Sequence, residues 1–173
     1  METEPSDQSL ELLNDPTIKE VTREAFVTVS SSRIGYGLSN IFDNDKTTFW
    51  QSNGNVPHTI TFLFDEIKNF AFVRVYISHS QDETYTPTKL ILKIGVSMYD
   101  MIDNVWFESE NPEGWCYLTR NPKVKCRGSC LQLVITENSN GGRDSHIRQI
   151  EVYAFDESNL FSIKSNAFSC CAL

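Results

Sequence analysis

The chain has 173 residues, of which 40% are hydrophobic, so it is long enough to bury one substantial core as a single globular domain. Its formal net charge of −8 repels phosphate backbones and anionic lipid headgroups, which argues against nucleic acid or a membrane as the main partner. No apolar run has the length of a signal peptide or a membrane span, and the five cysteines do not form an even, spread set. We therefore expect an intracellular, reducing compartment.

The predicted elements are β-strands almost throughout. An acidic, polar stretch, METEPSDQSLELLND, opens the chain, so residues 1–19 are expected to form a flexible arm. Beyond it, short segments that alternate apolar and polar residues recur between Gly, Asn, Asp and Pro, a pattern typical of strands. The predicted strands cover residues 25–30, 58–64, 70–78, 89–97, 104–108, 114–119, 130–137 and 147–155, with one short helical turn near residues 38–42.

Each predicted strand offers one apolar face. The pattern places Val96 on the inner face of its strand, and Phe72 and Tyr76 on the outer face of theirs. Such strands cannot bury their apolar faces alone, but two sheets packed face to face can. The sequence therefore predicts an all-β, jelly-roll β-sandwich over residues 20–155, followed by an extended C-terminal tail over residues 156–173.

One run of residues suggests nucleophilic catalysis but does not meet its requirements. Asp144, Ser145 and His146 are the residue types of a catalytic triad, yet they are consecutive, and neighbouring side chains diverge in a strand or tight loop. The chain also lacks a G-x-S-x-G nucleophile elbow. We therefore do not expect an enzyme, and a hydrolase that uses Ser145 and His146 is kept only as an alternative.

Metal binding has similarly weak signals. Cys126 and Cys130 have no second cysteine pair and no close histidine, so small buried side chains are a simpler interpretation than a zinc site. The side-chain oxygens of Asp43, Asn44 and Asp45 could coordinate a calcium ion, but an Asx-rich turn is the simpler interpretation. We expect no metal and no cofactor. The terminal residues CCAL formally fit a prenylation pattern, but no polybasic stretch precedes them.

Two polar loops remain as candidates for binding. SQDETYTPTK (80–89) joins two predicted strands and carries Tyr85, a flat amphipathic side chain. In NGGRDSH (140–146), Arg143 can donate hydrogen bonds and Asp144 can accept them. Loops on a rigid sandwich often carry function, but Asp144 could equally pair with an arginine and brace its own turn. In the second interpretation the partner of Asp144 would be Arg143 or Arg148. The residues alone do not decide between a binding loop and a braced turn.

Three blocks, in this order and spacing, resemble the signature blocks of the DOC domain family: TTFWQSNGNVPHTITFLF, DETYTPTKLILKIG and GRDSHIRQIEVY. The resemblance covers about residues 20–155, and DNDKTTFWQS also resembles a corner of galactose-binding, discoidin-like sandwiches. It implies a jelly roll without catalytic activity that belongs to the anaphase-promoting complex, a ubiquitin ligase of cell division. It further implies a co-receptor for the destruction box of substrates, which works with a propeller-type coactivator.

The same resemblance implies partners, location and site residues. The partners would be cullin-like and tetratricopeptide-repeat scaffold subunits, in the nucleus and cytoplasm. The residues that correspond to the family's degron-facing surface are Thr84, Tyr85, Asn140, Gly142, Arg143, Asp144 and His146. Those expected to serve mainly as scaffold are Trp50, Gln51, Ser52 and His58.

Two departures from the family pattern bear on this expectation. The family's Asn-Gly-Arg-Asp has one extra glycine here, so Asn140 or Gly141 can take the place of the asparagine. The chain also ends in Ala-Leu rather than in the Ile-Arg that docks on a repeat subunit. Two further alternatives remain: a carbohydrate-binding module of the galactose-binding class, and a DOC-like domain in a different ubiquitin ligase.

Overall fold

Ten β-strands and two short helices make up the part of the chain that the computed structural model describes, residues 7–119 and 126–157. The strands are β1 (Ile18–Glu20), β2 (Ala25–Val29), β3 (Trp50–Gln51), β4 (His58–Ser78), β5 (Pro87–Gly95), β6 (Met101–Glu108), β7 (Glu113–Thr119), β8 (Arg127–Asn138), β9 (His146–Ile147) and β10 (Gln149–Phe155). The helices are α1 (Asp7–Asn14) and α2 (His79–Asp82). Single 3₁₀ turns lie at Thr22–Glu24, Leu38–Ile41, Glu83–Tyr85 and Ser139–Gly141.

The strands form two antiparallel sheets that share β4. The first half of β4 pairs with β2 and β8, and β5 and β6 continue that sheet beyond β8. The second half of β4 pairs with β10 and β7, and β1 adds to β10. The register of β4 against β8 shifts between Leu63 and Lys68, where the strand passes from one sheet to the other. A separate short pair joins β3 to β9.

The core lies between the two sheets and confirms the sandwich prediction. Alternate residues of each strand point inward, so that apolar side chains of both sheets meet and are removed from water. Full burial of one such side chain contributes about 1.5–3 kcal/mol. The largest fully buried side chains of this core are Trp50, Phe62, Phe70, Ile41, Ile60, Ile77, Leu90, Leu118, Leu131, Leu133 and Ile135.

The structure corrects the sequence prediction in three places on the strands. The predicted strands 58–64 and 70–78 are one continuous strand, β4. Phe72 and Tyr76, placed on an outer face, are buried because that face carries its own aromatic layer. Phe72 stacks on Tyr153 at 4.4 Å between ring centroids. Val96, placed inward, is exposed because it follows the last residue of β5.

The N-terminal segment also differs from its prediction. Residues 7–14, assigned to a flexible arm, form α1, and β1 pairs with the last residues of β10. The N–H of Asp156 donates to the carbonyl of Thr17 at 2.7 Å, which extends this pairing. The sandwich therefore begins at residue 18 rather than 20. Most of the predicted tail, residues 158–173, lies outside the described residues. Within the ranges that are described, no helix has the length and apolar character needed to cross a membrane.

Candidate functional site

Strand pairing brings the two candidate loops to the same end of the sandwich. We call residues 79–86 the Tyr85 loop and residues 139–145 the Asp144 loop. The Tyr85 loop leads into β5 and the Asp144 loop leaves β8, and the register places Pro87 opposite Asn138. The N–H of Ser139 donates to the carbonyl oxygen of Thr86 at 2.8 Å. The loops are therefore neighbours because β5 and β8 are antiparallel partners.

The two loops also contact each other at Gly142. A Cβ atom on Gly142 would overlap the carbonyl oxygen of Thr84, so only glycine permits this approach of the two backbones. Asn140 and Gly141 precede it with φ values of 51° and 70°, which gives the turn its left-handed conformation. Thr84 and Asn140 are both exposed, so the joined loops present their side chains to solvent.

A buried cluster of charged and polar side chains supports the loops from below. The Asp82 carboxylate accepts two hydrogen bonds from Arg148, at 2.9 Å from Nε and 2.7 Å from Nη2. Nδ1 of His146 lies 2.9 Å from Asp82 Oδ1, and its Nε2 lies 3.2 Å from Gln51 Oε1. Burial alone would raise the pKa of Asp82, but the hydrogen bonds and charges of His146 and Arg148 outweigh it and lower the pKa.

The same histidine supports Tyr85. The His146 ring stacks between Phe49 and Tyr85, at centroid distances of 3.9 Å and 4.3 Å. His146 is buried, whereas Tyr85 is 36% exposed. Of the residues predicted to face a degron, His146 therefore lies behind the surface and fixes the position of Tyr85, which lies on it.

Arg143 and Asp144 hold the Asp144 loop against residues 54–58. Oδ1 of Asp144 accepts the N–H of Gly54 at 2.7 Å, and Nε of Arg143 donates to Oδ1 of Asn55 at 2.7 Å. Nε2 of His58 donates to the carbonyl oxygen of Arg143 at 2.7 Å. Asp144 thus braces its loop, but through a backbone amide and not through either of the arginines that the sequence suggested.

The hydrolase alternative lacks its central hydrogen bond. Oγ of Ser145 donates to Oδ1 of Asn138 at 2.8 Å. The ring nitrogens of His146 contact Asp82 and Gln51, so neither is available to take a proton from Ser145. The two residues have structural roles: one fixes the Asp144 loop and the other supports Tyr85.

The acidic turn at residues 43–45 is an Asx-rich turn. The N–H of Asp45 donates to Oδ1 of Asp43 at 2.9 Å. Nε2 of Gln149 donates to Oδ1 of Asp43, to the carbonyl of Asn40 and to the carbonyl of Asp45, at 2.8, 3.1 and 3.0 Å. An amide group therefore occupies the centre of this oxygen cluster. Across residues 7–119 and 126–157, no group of three or more His, Cys, Asp or Glu side chains converges as metal ligands would.

Sequence reasoning missed two residues of this site, Asp82 and Phe49. A signal for Asp82 was present, because His146 and Arg148 are two positions apart where β9 leads into β10, and alternate side chains of an extended backbone point to the same side. A buried arginine needs an acidic partner, and a neighbouring histidine ring can hydrogen-bond to the same carboxylate. The identity of that partner, 64 and 66 residues away along the chain, could not be read from a local pattern.

Comparison with known proteins identifies several relatives. The sequence model of a family described as "Anaphase-promoting complex, subunit 10 (APC10)" matches residues 2–170. The chain is similar to anaphase-promoting complex subunit 10 of Homo sapiens, with 30% identity over 153 residues that cover 87% of this chain and 83% of that protein. The Dictyostelium discoideum protein of the same name is 35% identical over 151 residues, which cover 82% and 79%.

Solved structures share the fold at much lower sequence identity. A family 32 carbohydrate-binding module from Clostridium perfringens NanJ, in complex with galactose, matches with a TM-score of 0.65 and 11% identity, over 79% of this chain and 98% of that one. A second module, CpGH89CBM32-5 in complex with GalNAc-β-1,3-galactose, matches with a TM-score of 0.65 and 15% identity, over 78% and 99%. These similarities show that the chain shares the jelly-roll fold of the two modules.

Proposed function

The chain belongs to the family of subunit 10 of the anaphase-promoting complex, and we propose that it acts in this ubiquitin ligase as a non-catalytic co-receptor for the destruction box of substrates. Family membership makes it a subunit of the complex. The co-receptor role, with a propeller-type coactivator as the second receptor and scaffold subunits as further partners, is the proposal. We also propose that the protein is located in the nucleus and cytoplasm. The free thiols of Cys116 and Cys130 are compatible with a reducing compartment.

One observation carries the proposal: the Tyr85 loop and the Asp144 loop form a single surface. Gly142 rests on the backbone of Thr84, and Tyr85 stacks on a histidine that follows the Asp144 loop. A short linear peptide can therefore contact both loops at once. Thr84 and Asn140 offer hydrogen-bonding groups beside the Tyr85 ring, and the buried Asp82 cluster keeps the surface from shifting when a ligand binds.

Such a surface is expected to bind weakly by itself. Each polar contact contributes about 0.5–1.5 kcal/mol, whereas association costs at least about 4 kcal/mol. A second receptor that holds the same peptide supplies effective concentration and makes these few contacts sufficient. The proposed activity therefore belongs to the assembled ligase, where a longer stay of the substrate allows more ubiquitins to be added in one encounter.

Tyr85→Ala should weaken substrate binding in the assembled, coactivator-bound ligase. Loss of the ring should shorten the residence time of a destruction-box substrate about threefold to tenfold, the range expected for one or two weak contacts. The ubiquitin chains that the ligase adds in one substrate encounter should become shorter to a similar degree. Both are measured on purified complexes by single-turnover ubiquitination and by substrate dissociation, with the free chain as a weak-binding reference.

Tyr99→Ala provides a matched control. Tyr99 is 96% exposed and lies in the turn after β5, at the opposite end of that strand from Tyr85. The Tyr99→Ala variant should leave the residence time of the substrate and the length of the ubiquitin chains unchanged. If Tyr85→Ala assembles normally yet keeps wild-type residence time, the co-receptor proposal fails. Tight binding of a destruction-box peptide to the free chain would also contradict it.

A carbohydrate-binding function is the alternative that the fold suggests. The two similar modules are complexes with galactose and with GalNAc-β-1,3-galactose, and Tyr85 offers a partly exposed ring. One face of that ring, however, is covered by His146. Binding of the free chain to a glycan array, lost in Tyr85→Ala, would favour this alternative over the peptide proposal.

A further inference from the structure

The aromatic stack behind Tyr85 extends beyond the proposed site. Phe49, which stacks on His146, stacks on its other side against Tyr36 at a centroid distance of 4.9 Å and an interplanar angle of 13°. Tyr36, Phe49, His146 and Tyr85 thus form one row of four rings. Tyr36 is 38% exposed, nearly the same fraction as Tyr85 at the other end, and Phe49 is partly exposed between them.

The turn that carries Tyr36 is firmly attached to the same support. We call residues 31–37 the Ile34 turn. The N–H of Arg33 donates to the carbonyl of Gln51 at 2.9 Å, and the N–H of Gln51 donates to the carbonyl of Tyr36 at 3.2 Å. Nε1 of Trp50 donates to the carbonyl of Ser31 at 3.0 Å. The turn is therefore fixed to β3, whose Gln51 side chain also contacts His146.

Ile34 is the most exposed large apolar side chain of the described residues, at 98%. Its backbone is held in place, so the side chain projects into water from a rigid position and gains nothing from burial in the free chain. A rigid apolar group can bind a ligand without the entropic cost of ordering a loop. Ile34 lies two residues from Tyr36, at the end of the aromatic row.

We infer that the Ile34 turn is an apolar subsite for the same substrate peptide, and that Ile34 and Tyr36 receive an apolar side chain of that peptide. The inference rests on the proposed co-receptor function and adds a second contact point to it. Ring spacings of 4.9, 3.9 and 4.3 Å separate Tyr36 from Tyr85. About four residues of extended peptide cover this length, so one destruction-box segment can reach both ends of the row.

The test is a double-mutant cycle in the assembled ligase. The affinity for a destruction-box substrate is measured with the wild-type ligase and with the Ile34→Ala ligase. Each is also measured with substrate variants in which one apolar residue of the destruction box is changed to alanine. Ile34→Ala should weaken binding of the parent substrate about tenfold, because the contact loses most of the apolar surface that the isoleucine side chain would bury against the peptide. For one substrate residue, the alanine change should lose its effect once Ile34 is absent, because the two side chains contact each other.

Ile67→Ala is the matched control, since Ile67 is also exposed, at 56%, and lies in the middle of β4, where the strand passes between the sheets. It should not alter substrate affinity. Thermal melting and co-purification with the other subunits establish that each variant folds and assembles.

The outcomes separate the two proposals. If Tyr85→Ala weakens binding and Ile34→Ala does not, the apolar subsite is wrong and the co-receptor function stands. If Ile34→Ala weakens binding but couples to no apolar residue of the substrate, the subsite is also wrong. If neither variant changes binding, both proposals fail.

Discussion

Asp82 is the residue on which the geometry of the candidate site depends most. Its carboxylate joins α2, where the Tyr85 loop begins, to β9 and the residue that follows it. Arg148 also donates to the carbonyl of Lys46 at 2.7 Å, so the guanidinium connects three segments of the chain. Removing a carboxylate from such a cluster leaves a buried arginine without its counter-charge, which is far more costly than losing a surface ion pair.

We therefore expect Asp82→Asn to lower the free energy of unfolding by about 3 kcal/mol at neutral pH. Because the folded-state pKa of Asp82 is lowered, its contribution is complete above the ordinary carboxyl pKa of about 4 and is lost as the pH falls through the folded-state value. The difference between wild type and variant should thus shrink in acid. Urea unfolding at pH 7 and at pH 3 measures both effects.

The control for this prediction is Glu66→Gln, because the Glu66 side chain is 83% exposed and lies 3.9 Å from Lys68 in a surface pair. Its free energy of unfolding should change little, since exposed pairs contribute about 0–1 kcal/mol. An Asp82→Asn difference that stayed constant down to pH 3 would mean that the carboxylate is not the source of the stability.

At the scale of elements, the contact between the two loops depends on the absence of a side chain at Gly142. The φ value of Gly142 is −56°, which any residue can adopt, so its requirement for glycine is steric rather than conformational. A methyl group there would meet the backbone of Thr84, which cannot move without displacing the 3₁₀ turn at Glu83–Tyr85.

Gly142→Ala should therefore lower the free energy of unfolding by about 1–3 kcal/mol, as overpacking does, and separate the two loops. Gly37→Ala is the control, because a methyl group at Gly37, with φ of −81°, would have no atom within 4 Å. Chemical denaturation measures the stability, and NMR shifts of the Tyr85 ring report the separation. Unperturbed Tyr85 shifts in a destabilised Gly142→Ala protein would contradict the steric explanation.

The elements themselves followed from the sequence much more completely than the site did. The alternation of apolar and polar residues predicted the ends of β2, β5 and β8 to within about three residues, because a strand with one buried face has a period of two. The continuity of β4 across residues 65–69 could not be predicted, since polar residues there resemble a turn and only pairing with two different sheets keeps them extended. The Asp144 loop was assigned through resemblance, whereas its contact with Thr84 arises from the β5–β8 register.

At the scale of the whole molecule, β4 makes the two sheets one structure. Its first half is central to one sheet, between β2 and β8, and its second half is central to the other, between β10 and β7. Neither sheet can lose β4 without losing its own middle strand. The two sheets also bury their apolar faces against each other, so the sandwich is expected to unfold as one cooperative unit.

This cooperativity can be tested by placing one cavity in each half of β4. Ile60→Ala lies in the half that pairs with β8, and Val75→Ala lies in the half that pairs with β10; both side chains are fully buried. Ile60→Ala should cost about 2–5 kcal/mol, and Val75→Ala somewhat less because fewer buried carbons are removed. In native-state hydrogen exchange, each variant should lower the protection of slowly exchanging amides in β8 and in β10 by the same amount, since both report global unfolding. A variant that lowered protection only in its own sheet would show that the sheets open separately, and the joined loops would then be supported by β5 and β8 alone.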